Sequence, residues 1–156
     1  MNSEAKQLFQ DAYRHQMDGE LDEAVRLYLA SIAIEPTAEA HTFLGWTYSF
    51  QGDLERAIAE CKEAIRVDPD FGNPYNDIGA YLIELSRTDE AIPWLKKAME
   101  ARRYASPEFP HLNLGRVYET KGLLLEAARE FQAAVELGPA HEGAWRALGR
   151  VRGRLN

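Results

Sequence analysis

The sequence predicts an all-α fold, a row of antiparallel helical hairpins stacked into a solenoid, on three observations. Small and apolar residues recur with a fixed period along nearly the whole chain. Within each period they fall at helical spacing on one face of two successive segments. Between these segments lie glycines and acids that end one helix and cap the next.

The period is read from the alanines at 24, 57, 91 and 127, which lie 33, 34 and 36 residues apart. A single hairpin cannot cover its own apolar face, so such units must stack on their neighbours. The first unit, about 5–37, is the most divergent, with Leu8, Ala12, Gly19, Ala24, Tyr28, Ser31 and Pro36. In the second, about 38–71, His41, Leu44, Gly45 and Tyr48 form the inner face of one helix. Leu54, Ala57, Ile58, Cys61, Ala64 and Ile65 form that of the next. Gly45 and Ala57 are small where the two backbones must approach most closely, and Gly52-Asp53 supplies the turn and the cap.

The third unit, about 72–107, carries Ile78-Gly79, Leu82, Ala91, Leu95 and Ala98. Pro93 lies inside its second helix and predicts a slight kink or a late start, because proline donates no backbone hydrogen bond. Two extra residues around Ser106-Pro107 and Pro110 predict a longer connection and a local change of superhelical pitch. The fourth unit, about 108–141, has Leu114-Gly115, Tyr118, Gly122, Ala127, Phe131, Ala134 and Pro139. A last segment, about 142–154, repeats the first-helix signature with Trp145, Leu148 and Gly149, but no second helix follows. With Arg146, Arg150 and Arg154 outward, it is expected to cap the array.

The pattern of a large residue, Leu-Gly, Tyr, then Ala, Phe and Pro at matched offsets resembles the tetratricopeptide repeat family over nearly the whole length. The resemblance implies a single domain over 1–156, wound as a right-handed superhelix whose first helices line a concave face. It also implies a non-catalytic protein-protein interaction scaffold. Some members bind the acidic tails of chaperones through Lys, Asn and Arg on three successive first helices. The matching positions here are Phe9, Tyr13, Phe43, Asn73 and Asp77, so that mode of binding is not expected.

Composition agrees with a binding module. Eighteen lysines and arginines against 25 acids leave a net charge of −7, a poor match to nucleic acid. Cys61 is the single cysteine, which suits a reducing compartment. Charged residues interrupt the segment from Met1 to Met17, and no apolar stretch is long enough to span a bilayer. A cytoplasmic location without membrane insertion is therefore expected. His15, His41, His111 and His141 are scattered, no glycine-rich phosphate loop occurs, and Cys61 sits at a core position. His41 and His111 share one repeat position and read as partly buried structural residues. No enzyme activity, metal or cofactor is expected.

The surface of the array is left to carry the function. A stripe at i, i+4, i+7, offset from the packing face of each first helix, points into the groove. With its neighbours it gives the candidate binding residues Phe9, Tyr13, Thr42, Trp46, Phe50, Asn73, Asn76, Arg116, Arg146 and Arg150. Gln16, Leu112 and Glu119 share the stripe, and Met17 and Phe109 flank it. Aromatics at one end and arginines at the other predict an acidic partner peptide or helix with apolar anchors, centred on Trp46. The competing reading is that the aromatics pack between repeats and the arginines solvate the cap.

A second functional reading is a self-assembling scaffold. Residues 1–71 hold six basic residues against fourteen acids, whereas 142–156 hold four against one, so the acidic end of one molecule could dock on the basic end of the next.

Overall fold

The computed structural model describes residues 2–156 as α1 (Ser3–Met17), α2 (Leu21–Ile34), α3 (Ala38–Phe50), α4 (Leu54–Val67), α5 (Asn73–Glu84), α6 (Thr88–Glu100), α7 (Glu108–Thr120), α8 (Leu124–Leu137) and α9 (Glu142–Leu155). Consecutive helices pair as hairpins, and α9 packs against α8. The first helices α1, α3, α5 and α7 also touch one another in series, which places them along the inner face.

Local chemistry sets the helix ends. Asn2 accepts from the amides of Glu4 and Ala5 at 2.9 and 3.1 Å, and Asp53 accepts from Arg56 at 3.1 Å, so each satisfies orphan donors of a first turn. Three hairpins turn through Gly19, Gly52 and Gly122 at φ of +78°, +83° and +77°, where a side chain is disfavoured. The third hairpin turns through Ser86 at φ +60°, a position with no glycine signal in the sequence.

Close helix approach explains the glycines of the repeat. A methyl group on Gly45 would lie 2.9 Å from the backbone oxygen of Ala57. On Gly79 it would meet Leu95 at 2.4 Å, and on Gly115 it would meet Phe131 at 2.5 Å. These contacts seat one helix of each hairpin on the other. The apolar core runs from Ala12 through Leu44 and Ile78 to Leu114, and a second cluster joins Leu112, Phe131 and Leu148 under α9.

Two irregular features differ from expectation in detail. The helix holding Pro93 starts on time at Thr88 and runs to Glu100, with both Pro93 and Asp89, four residues before it, exposed. The long connection after α6 is tied down: Gly72 donates to the Arg103 carbonyl and Arg103 to that of Asp70, each at 2.9 Å. Tyr104 packs on Gly72 so tightly that a side chain there would clash at 2.6 Å.

Candidate binding groove

The aromatic end of the inner face is built on α1 and α3. Phe43 is held edge-on by Phe9 at 5.4 Å and Tyr13 at 5.8 Å, and it abuts Trp46 at 5.9 Å. Trp46 in turn leans on Phe50 at 5.1 Å. Edge-to-face contacts of this kind fix ring orientation as well as burying area. Phe9 belongs to the packing of this wall, with Tyr28 also at 5.6 Å, whereas Tyr13 and Phe50 are 42% and 56% exposed.

Trp46 is the wall between two cavities. One, of about 220 Å³, is lined by Thr42, Phe43, Trp46, Phe71, Asn73 and Asp77. The other, of about 480 Å³, is bounded by Gln16, Met17, Leu21, Trp46 and Phe50 and is mostly apolar. Gln16 is buried in the second wall, where its Oε1 accepts from Tyr28 at 2.7 Å while its Nε2 donates to no protein acceptor. Asp77 forms no hydrogen bond or ion pair among the described residues, and burial pushes its pKa from 3.8 up to about 7. Beside it, burial also raises the pKa values of Cys61, Tyr81 and Tyr104.

The other expected groove residues divide. Thr42 is buried and bonds back to the Ala38 carbonyl at 2.7 Å, yet it forms part of the smaller cavity, as does Asn73. Asn76 is buried, and its Oδ1 accepts from Asn113 at 3.0 Å in a bond between α5 and α7. Leu112 is likewise core.

The arginines do not make the open cluster expected for an acidic partner. Arg150 forks onto Glu119 at 2.7 and 2.8 Å, and Arg154 approaches the same carboxylate at 3.7 Å. That pairing holds the Glu119 pKa below the usual carboxylate range, chiefly through the Arg150 hydrogen bonds. Arg116 is exposed and donates to Asn113 at 3.2 Å, while Arg146 lies exposed on α9 without a protein partner among the described residues. The carboxylate on the neighbouring first helix thus satisfies the cap arginine that the sequence left facing the groove.

Two family models, each described as a tetratricopeptide repeat, match residues 38–71 and 75–110. These two segments are tetratricopeptide repeats. The fold of the chain is similar to that of PilF of Pseudomonas aeruginosa, with a TM-score of 0.88 at 20% identity over 96% of this chain and 68% of that one. It is also similar to MamA of Desulfovibrio magneticus, with a TM-score of 0.78 at 22% identity over 99% and 86%. YrrB, described as a tetratricopeptide protein with an unusual peptide-binding site, gives 0.70 at 22% over 94% and 75%. A curated human relative, protein O-mannosyl-transferase TMTC2, is 36% identical over 100 residues, which span 62% of this chain and 12% of that protein's length.

Within the repeat frame, the residue that sequence reasoning undervalued is Asp77. It stands one position before Ile78-Gly79, where the second, fourth and last units carry Phe43, Asn113 and Ala147. A lone carboxylate at that inward position was the available signal. Phe71 carried none, since it reaches the cavity from the connection before α5. His41 and His111 make equivalent structural contacts, their Nδ1 atoms lying 2.8 Å from Glu60 and 2.7 Å from Glu130 across each hairpin.

Proposed function

We propose that this chain is a non-catalytic interaction scaffold that holds a segment of a partner protein in its inner groove, acting as one domain of four hairpins and a closing helix. The observation that carries the reading is Trp46, a partly exposed aromatic shared by two open cavities and fixed in place by Phe43 and Phe50. Rigid, accessible aromatics of this kind dominate the binding energy of protein interfaces. The peptide-binding site named for YrrB, on the same fold, supports the reading.

No group of three or more His, Cys, Asp or Glu side chains that could hold a metal occurs among the described residues. No helix among them is long and apolar enough to cross a membrane. A cytoplasmic setting, suggested by the single buried thiol, is part of this proposal. Docking between copies through the basic end is not favoured, because Glu119 engages Arg150 and Arg154 while Gln132 accepts from Arg152 at 2.5 Å.

The test is capture of partners by the wild-type chain beside Trp46→Ala and Arg146→Glu variants whose helicity is matched by circular dichroism. A partner bound through the groove loses about 2 kcal/mol or more of affinity with Trp46→Ala and little with Arg146→Glu. Equal capture by the wild type and Trp46→Ala would move the binding surface elsewhere.

A further inference from the structure

The smaller cavity combines three properties that select one ligand chemistry. Its walls are aromatic, from Phe43, Trp46 and Phe71. It holds a carboxylate, Asp77, that no cation among the described residues pairs with. Its volume of about 220 Å³ admits the end of one long side chain rather than a backbone. Aromatic faces attract cations through their quadrupoles, and a desolvated carboxylate without a partner gains most from an incoming positive charge.

From this geometry we infer that the cavity receives the cationic end of a lysine or arginine side chain of the partner segment, with Asp77 as its counter-ion. An adjoining bulky apolar side chain of the same segment fills the larger cavity on the other side of Trp46. The inference rests on the groove reading above and specifies its ligand. It replaces the acidic partner expected from the arginines with a basic one.

The surroundings agree in sign. Arg103 stacks on Phe71 at 4.3 Å, but both Asp68, at 2.6 Å, and Glu39, at 3.4 Å, face that guanidinium, so the cavity's edge is not left positive. Beyond the larger cavity, the turn that shares Gly19 and Leu21 with it carries Glu20, Asp22 and Glu23. The fourteen acids against six basic residues over 1–71 add a field that draws a basic segment toward this end.

The experiment selects from a phage-displayed library of random nonapeptides on the full chain, in parallel with Asp77→Asn and Trp46→Ala. The wild-type pool should be enriched in Lys or Arg beside Leu, Ile, Phe or Met. A peptide from that pool should bind Asp77→Asn about tenfold more weakly, and replacing its basic residue by norleucine should cost the same on the wild type and nothing further on Asp77→Asn. A wild-type pool without basic enrichment, or equal enrichment on Asp77→Asn, overturns the cation site while leaving the groove intact. A pool that binds Trp46→Ala as well as the wild type, or no selected peptide at all, overturns the groove reading and the cation site together.

Discussion

Asp77 is the residue whose energetics and proposed role conflict most openly. Its folded pKa, about 7 against an ordinary 3.8, means that the folded chain binds the proton more tightly than the unfolded chain. Stability is therefore greatest below about pH 4 for this group and falls as pH rises through about 7. Cys61, Tyr81 and Tyr104, the neighbours that feel its charge, are held neutral by burial and do not titrate in that window. Asp77→Asn, which cannot ionise, should unfold like the wild type at about pH 3 and be more stable by about 4 kcal/mol at pH 8 in urea titrations. A difference that does not vary with pH would show that the carboxylate is not desolvated. A carboxylate that costs stability as it ionises, and that lines an open cavity, fits the binding role proposed for it better than a packing role.

Among the helices, the same signature residue has opposite consequences in different units. Gly45 on α3 faces α4, and the atom nearest an added methyl group is backbone, which cannot swing aside. Gly149 occupies the equivalent place on α9, where no following helix packs and nothing lies within 4 Å of an added methyl. Gly45→Ala should thus destabilise by about 1–3 kcal/mol, and Gly149→Ala should stabilise by about 0.5–1 kcal/mol through helix propensity alone. Thermal denaturation of the two variants checks both signs. The glycine pattern was legible as a repeat because hairpin packing requires it, but which atom each glycine would meet is decided only by the packed helices.

The whole molecule is a row in which each helix pair leans on its neighbours, so damage should stay local. Leu148 on α9 is buried in the second apolar cluster with Phe131 and Val135 of α8, far along the row from Trp46 on α3. Leu148→Ala should cost about 2–4 kcal/mol for the terminal unit. Hydrogen exchange should then show lost protection in α8 and α9 with α1 to α3 unchanged, and the groove still able to bind. Loss of protection throughout would mean that the row unfolds as one cooperative body.

The sequence by itself determined the helices, their pairing and the inward stripe, because those follow from period, spacing and capping along a single chain. It also singled out Trp46. Tertiary structure decided which inward residues remain available. Asn76 was taken by Asn113 some 37 positions away, and Arg150 by Glu119 at a separation of 31. Phe71 and Asp77 were brought to one cavity from a connection and a helix. A stripe on a helix fixes where side chains point. Whether a charge is paired or left bare depends on the neighbouring repeat, and that contact exists only after the hairpins have stacked.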